Sequence, residues 1–356
     1  MSITLIMPCA GKSSRFDTTR PKYLLTAPSG NLMLMESLFG LDTENISRIV
    51  IVVARCHIED NKVNLNKISE KINEEKGIIP EFFILDSFTT SQSETIYKTI
   101  VEKNIEDNFF IKDCDNIFNT KIITGNYICI SKLNRETNAI NKGYVSLNKF
   151  GKVSGIIEKQ VIGDIFCCGG YSFSDPNKFK KTFEKLSNLK SINNKEIYIS
   201  HVIQQMLLDE EEFDIDEAYN YLDFGTIEDW EKYTSGFQTI FIDMDGTLCE
   251  QTSEFFEPSW GESDGLLENI KIINELFDGG KTTIIITTSR KSNVKEKTIN
   301  QLNKLGIKYN DIIFNLPHAK RILVNDFSDT NPYPSAIAVN LKRNSNNLKN
   351  YIKNRN

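Results

Sequence analysis

Residues 3–16 read Ile-Thr-Leu-Ile-Met-Pro-Cys-Ala-Gly-Lys-Ser-Ser-Arg-Phe. A short apolar run, Ile3 to Met7, breaks into small and cationic residues, and Arg20-Pro21-Lys22 follows just beyond. An apolar run of strand length that stops at a glycine- and serine-rich turn is the start of a buried strand. Outward from it, strand-like runs alternate with amphipathic, Lys- and Glu-rich stretches. Leu32 to Phe39 is followed by Ile49 to Val53, Lys67 to Glu75, Glu81 to Leu85, Glu94 to Lys103 and Asn108 to Lys112. That order predicts an α/β sheet.

Between about Gly125 and Ser174 the alternation gives way to successive β-rich segments: Tyr127 to Ser131, Gly143 to Asn148, Val153 to Lys159 and Phe166 to Phe173. These predict an antiparallel extension of the first sheet. A helical stretch, Ile197 to Asp209, precedes Thr234-Ser235-Gly236, where the periodicity stops. A second alternation then begins. Strands are expected at Thr239 to Ile242, Thr282 to Thr287, Ile312 to Asn315, Ile322 to Val324 and Ala336 to Asn340, with helices near 264–278 and 291–304. The predicted division is residues 1–234 and 237–356, in keeping with 356 residues at roughly 150 per domain.

The composition excludes several classes. Net charge is −6, so no global field draws the chain to nucleic acid or an anionic membrane, and no basic face interleaved with aromatics is visible. Hydrophobic residues make up 40% and charged residues 25%, which suits a folded globular chain. No apolar run approaches the roughly 20 residues of a membrane-spanning helix. The amino terminus lacks the basic start and sustained apolar stretch of a signal peptide, so a cytoplasmic location is expected. Seven cysteines without C-x-x-C spacing suggest neither a disulfide framework nor a zinc ribbon. With three histidines, any metal is expected to be a hard cation on carboxylates.

The loop after the first strand has the chemistry of a phosphate cradle. Small residues let backbone N–H groups approach phosphate oxygens, while Arg15 and Lys22 supply positive charge. With Arg20-Pro21-Lys22, it resembles the opening of the sugar-nucleotide nucleotidyltransferases, whose G-x-G-(S/T)-R loop and downstream P-K bind a nucleoside triphosphate; Ser13 stands where that family has its second glycine. The resemblance continues in order through Gln92-Ser93-Glu94-Thr95, Asp113-Cys114-Asp115-Asn116, Glu158-Lys159, Gly169-Gly170-Tyr171 and Asp223-Phe224-Gly225-Thr226. It implies a Rossmann-like, GT-A type domain with a mixed sheet. By the same resemblance Ala10, Gly11, Ser13, Ser14, Gln92, Glu94 and Thr95 would bind the nucleotide. Glu158, Lys159, Gly170 and Glu196 would meet the acceptor, Arg15 and Lys22 would act on the departing pyrophosphate, and Asp115 with Asp223 would hold Mg2+.

The run Ile240-Phe-Ile-Asp-Met-Asp-Gly-Thr-Leu248 places one aspartate at the end of a strand and another two residues on, so both enter one crevice. It resembles motif one of the haloacid-dehalogenase-like (HAD) phosphohydrolases. That resemblance implies Asp243 as nucleophile, Asp245 as general acid, Thr288 and Lys320 on the phosphate, and Asp243, Asp245 and Asp326 around magnesium. Roughly 35 to 40 residues separate the first two motifs, which leaves no room for a large cap.

A phosphatase joined to a transferase must spare its partner's monophosphate acceptor, so the two specificities are expected to differ. The combination resembles proteins of bacterial capsule and surface-glycan clusters. It implies transfer from CTP to a phosphorylated sugar or polyol, with a related phosphorylated intermediate as the phosphatase substrate. A homo-oligomer is compatible with this reading. The alternatives are a dTTP- or UTP-dependent sugar-1-phosphate nucleotidyltransferase, an amino-alcohol-phosphate cytidylyltransferase, and a non-catalytic nucleotide-binding regulator.

Overall fold

A computed structural model describes residues 2–12, 16, 20–133, 142–193, 196–252, 260–326 and 336–352. The chain divides into two compact units, Met1–Glu231 and Lys232–Asn356. Among the described residues no helix is long and apolar enough to cross a membrane.

In the first unit the elements run β1 (Ile3–Pro8), α1 (Met33–Phe39), β2 (Leu41–Asp42), β3 (Ile46–Ala54), α2 (Arg55–Asp60), α3 (Leu65–Lys76), β4 (Glu81–Leu85), α4 (Gln92–Glu102) and β5 (Asn108–Lys112). There follow β6 (Asn116–Lys121), β7 (Tyr127–Lys132), β8 (Gly143–Leu147), β9 (Val153–Glu158), β10 (Ile165–Phe173), α5 (Pro176–Asn193), α6 (Ile199–Leu208), β11 (Asp214–Glu217), β12 (Tyr219–Asp223) and α7 (Ile227–Ser235). The main sheet has the order β11-β7-β10-β5-β1-β3-β4, with β8 joined to β10 and β9 to β8. β1 lies parallel to β3 and β5, whereas β10 runs antiparallel to β5 and β7, and β8 to β9. This is the mixed sheet with the antiparallel extension expected from the sequence.

Alternation along the central strands explains why they are apolar throughout. Ile6, Val50, Val52, Phe109 and Ile111 face one core with Ile96 and Ile100 of α4 and Val202 and Ile203 of α6. Their sequence neighbours Leu5, Met7, Ile49, Ile51 and Phe110 face a second core with Leu34 and Leu38 of α1 and Ile68 and Ile72 of α3. A sheet covered on both faces needs apolar residues at both parities. Helix ends are set locally: Asn64 accepts from Lys67 N at 3.2 Å, and Gly77 ends α3 in the left-handed region, φ +67°.

The second unit contains β13 (Gln238–Asp243), α8 (Leu267–Asp278), β14 (Thr282–Thr287), α9 (Lys295–Lys304), β15 (Asp311–Ile313) and a terminal turn of helix, α10 (Lys349–Ile352). β13, β14 and β15 form a parallel three-stranded sheet. Ile242, Ile284 and Ile286 pack with Ile270, Ile273 and Leu302, and Leu348 joins them from near the chain end. Two predicted strands are corrected: neither 322–324 nor 336–340 is a strand. Ile322 and Val324 are 78% and 86% exposed. Short apolar runs form strands only when a neighbouring strand and a covering layer bury them, and here they are not buried.

Candidate active site

β1 and β5 are parallel neighbours, so their carboxyl ends open along one edge of the sheet, where ligands of α/β folds bind. From β1 come Cys9, Gly11 and Lys12. From β5 comes the turn Asp113–Asp115, which leads into β6. β12 pairs with β6, and Phe224 N donates to Asp115 O at 2.8 Å, fastening the end of β12 to that turn. Asp115 and Asp223 are thereby brought to one cleft of about 550 Å³.

Each carboxylate has an ammonium partner. Lys22, from a short turn of helix, pairs with Asp115, and Lys142, just before β8, pairs with Asp223. Asp223 Oδ1 also accepts from Gly225 N at 3.0 Å. Beneath the turn lies Lys112, with no exposed surface. Its ammonium donates to Ser37 Oγ, Asp113 O, Asn116 O and Asn116 Oδ1 at 2.6–2.8 Å. Burial lowers the Lys112 pKa to about 8. Desolvation, then the charge of Asp115, pushes Asp113 up to about 6, and Gln92 Nε2 donates to Asp113 Oδ1 at 2.5 Å.

Asp115 and Asp223 satisfy the requirements of magnesium, which takes one or two carboxylates and fills its remaining positions with water and phosphate oxygens. Among the described residues no group of three or more His, Cys, Asp or Glu side chains is arranged to hold a metal. Both carboxylates line the cleft of about 550 Å³ and each already pairs with an ammonium group.

Some of the residues singled out by sequence line one cleft and others do not. Gly11, Lys22, Gln92, Thr95, Asp115, Glu158, Lys159, Glu196 and Asp223 line the cleft. Ala10 does not; its side chain is buried in the core. Glu94 is a capping residue: its carboxylate accepts from Thr90 N and Oγ1 at 2.7 Å and pairs with Lys98, so helix capping accounts for the Gln92–Thr95 signal at that position. Gly170 is a packing glycine, since a Cβ there would meet Phe118 Cζ at 2.8 Å. Of this glycine pair it is Gly169 that lines the cleft, with φ +86° and space for a Cβ denied by Asp113 Oδ2 and Asn116 Nδ2 at 2.6 Å. Ser13, Ser14 and Arg15 lie outside the described residues. Lys142, Tyr198 and Tyr221 were not singled out by sequence; the β8–β9 register brings in Lys142, the start of α6 brings in Tyr198 and β12 brings in Tyr221.

In the second unit, Asp243 ends β13 and Asp245 follows two residues on, with Gly246 turning at φ +85°. Arg290, fully buried, grips Asp245: Nη2 donates to Oδ1 at 2.7 Å and Nε to Oδ2 at 3.1 Å. Arg290 Nη1 is held by Gln301 Oε1 at 2.8 Å. Thr288 Oγ1 donates to Asp245 Oδ2 at 3.3 Å. Burial raises the Asp243 pKa; Arg321, 3.1 Å away, opposes that and Asp245 adds to it. The cation beside Asp243 is therefore Arg321, and the expected Lys320 is exposed, as is Asp326. The expected three-carboxylate metal set Asp243, Asp245 and Asp326 is not assembled among the described residues.

No family model and no curated protein matches the sequence. Similarity appears among solved structures. The nucleoside-diphosphate-sugar pyrophosphorylase from Vibrio cholerae RC9 aligns with a TM-score of 0.55 at 16% identity, over 65% of this chain and 99% of that one. The inositol-1-phosphate CTP transferase from T. maritima aligns with a TM-score of 0.50 at 15% identity, over 65% of this chain and 94% of that one. At such identities what is shared is the fold, a nucleotidyltransferase-type mixed α/β sheet.

Proposed function

We propose that the first unit transfers a nucleotidyl group from a nucleoside triphosphate, CTP favoured, to a phosphorylated sugar or polyol and releases pyrophosphate. The observation that carries this is the fastening of β12 to the β5 turn, which brings Asp115 and Asp223 to one cleft beside Lys22, Lys142 and Lys159. Asp115 and Asp223 would hold magnesium, which when bound supplies positive charge to the phosphate oxygens of the nucleotide.

The chain's own residues account for the rest. An oxygen of the acceptor phosphate attacks the α-phosphorus and the bond to the β-phosphate bridging oxygen breaks, so little covalent work falls to the protein. Lys22 stabilises charge on the departing pyrophosphate, and Lys159 orients the acceptor phosphate. Lys112 fixes the turn bearing Asp115 by donating to Asp113 O and to Asn116 on either side of it. Position and electrostatics are the whole of the catalysis.

For the second unit we infer a HAD-like phosphatase acting on a related phosphorylated intermediate. Asp243 Oδ attacks phosphorus and the ester oxygen leaves with a proton from Asp245; water, deprotonated by Asp245, then hydrolyses the aspartyl phosphate. Support comes from the two strand-end carboxylates and from Thr288 beside them. A setting in capsule or surface-glycan synthesis rests on the resemblance of the two-domain combination.

One experiment tests both readings: the four nucleoside triphosphates are paired with a panel of sugar and polyol phosphates, and pyrophosphate and phosphate are measured separately. Acceptor-dependent pyrophosphate release is expected with CTP, reduced on the order of 10²–10³-fold in Asp223→Asn. Phosphate release is expected from wild type and to be lost in Asp243→Asn. Pyrophosphate release only from UTP or dTTP would overturn the choice of CTP, and equal phosphate release by Asp243→Asn would remove the phosphatase.

A further inference from the structure

The β8–β9 hairpin pairs Gly143 with Glu158, and one step beyond it Lys159 N donates to Lys142 O at 2.8 Å. That bond makes Lys142 and Lys159 backbone neighbours, although Lys159 has left the extended strand and takes a left-handed turn at φ +57°. Both line the cleft. Two ammonium groups on one cleft wall repel each other, and Asp223 offsets only the charge of Lys142.

The surroundings are built to keep both ammonium groups in place. Lys142, 8% exposed, donates to the Tyr221 hydroxyl at 2.5 Å and to Asp223, and lies 5.0 Å from the Tyr221 ring centre. Lys159 donates to the Tyr198 hydroxyl at 2.8 Å and lies 4.6 Å from that ring centre. An ammonium group has three donors, so these bonds leave both lysines with donors for a ligand. The two tyrosine faces matter as well. An aromatic face is where a protein holds a ligand's ammonium group, and here each face already carries the protein's own cation.

We propose that Lys142 and Lys159, framed by Tyr198 and Tyr221, form a two-cation seat for the acceptor's dianionic phosphate, and that Lys142 restricts acceptors to phosphate monoesters lacking an ammonium group. The word acceptor rests on the nucleotidyl-transfer reading; the anion seat does not. Such a seat favours sugar and polyol phosphates and rejects amino-alcohol phosphates, whose cation would meet two lysines.

Calorimetric titration of the full chain decides it, with inorganic phosphate, glycerol 3-phosphate and phosphocholine as probes and CTP titrated separately. Lys142→Met is expected to weaken both inorganic phosphate and glycerol 3-phosphate about tenfold or more, the loss of one charge-assisted bond, while Lys142→Arg stays within about threefold. Wild type is expected to bind phosphocholine at least about tenfold more weakly than glycerol 3-phosphate. Phosphate affinity unchanged in Lys142→Met, no phosphate binding by wild type, or phosphocholine binding as tight as glycerol 3-phosphate each overturns the proposal. If Lys142→Met fails to fold by circular dichroism, Tyr221→Phe carries the test: it keeps the ring, and phosphate binding about threefold weaker supports the seat while unchanged binding overturns it. Absence of CTP binding in wild type would sink the nucleotidyl-transfer reading alone, because the phosphate titrations stand without it.

Discussion

Each unit presents two aspartates at strand ends, and each aspartate has a cation beside it, yet the two pairs are built differently. In the first unit the carboxylates come from the turn after β5 and from β12, far apart in sequence, and their partners Lys22 and Lys142 are ammonium groups lining a cleft. In the second the carboxylates are two residues apart, and Asp245 is clamped by a planar guanidinium with no exposed surface, itself held by Gln301. A lysine can exchange a carboxylate for a phosphate oxygen by rotating its stem, whereas a buried, forked arginine cannot leave without stranding its partners. The first arrangement is suited to partners that come and go with substrate. The second is a fixture, and it orients Asp245 whatever occupies the crevice.

The largest expected effect follows from that contrast. Arg290→Met leaves Asp245, Gln301 and Thr298 without the group that satisfies them, and breaking a buried ion pair costs about 3–5 kcal/mol. Lys22 and Asp115 are 18% and 16% exposed at the side chain, and water can replace the lost partner, so Lys22→Met is expected to cost about 1 kcal/mol or less. Denaturant unfolding separates the two, because Trp230 lies in the first unit and Trp260 in the second. Equal losses in the two variants would break the comparison.

A middle-sized effect concerns pH. Asp113 and Asp243 both have raised pKa values with burial as the leading cause and a neighbouring carboxylate adding to it, Asp115 in the first case and Asp245 in the second; Arg321 opposes the rise at Asp243, and Asp113 reaches about 6. A carboxyl whose folded pKa exceeds its unfolded value of about 4 binds its proton more tightly when folded. Its contribution is therefore present below about pH 4 and is lost as pH rises to about 6, then constant above. Asp113→Asn removes the titration while keeping an acceptor for Gln92. Wild type should lose stability relative to this variant between pH 4 and 6, measured by denaturant midpoints. A difference between the two that stays flat across that window would show that Asp113 titrates normally.

How much of this was legible in the sequence differs between the units for a physical reason. The central strands were readable because burial on both faces makes them apolar at every position, as in Ile49 to Val53. Asp115 and Asp223 stood out in the sequence because Asp115 follows an apolar strand within a short polar turn and Asp223 ends β12 before Phe224-Gly225. Lys142 was not, since its place depends on the β8–β9 register and nothing local distinguishes a lysine before Gly143 from a solvated one. Glu94 misled because a helix N-terminus and a ligand loop ask for the same polar residues. In the second unit Ile322 to Val324 misled because apolarity shows a capacity for burial and not the presence of a partner strand. Arg290 lay in plain view after Thr287-Thr288-Ser289, but its burial depends on α9 supplying Thr298 and Gln301.

The smallest expected effect isolates the remaining cation of the second unit. Arg321 pairs with Asp243 at 3.1 Å, but the side chains are 47% and 37% exposed, so the pair is a surface one in energetic terms. Arg321→Met should change stability by about 1 kcal/mol or less, well below the loss from Arg290→Met, although both arginines serve adjacent aspartates. What should move is chemistry: Arg321 is the group that pulls the Asp243 pKa down against burial, so its removal should raise that pKa further. Carboxyl-carbon NMR titration of Asp243 in the two proteins reads this directly, with Asp113 as an internal reference expected to stay put. An Asp243 titration unmoved by the loss of Arg321 would mean that burial and the neighbouring Asp245 set it, and that the cation beside it does not.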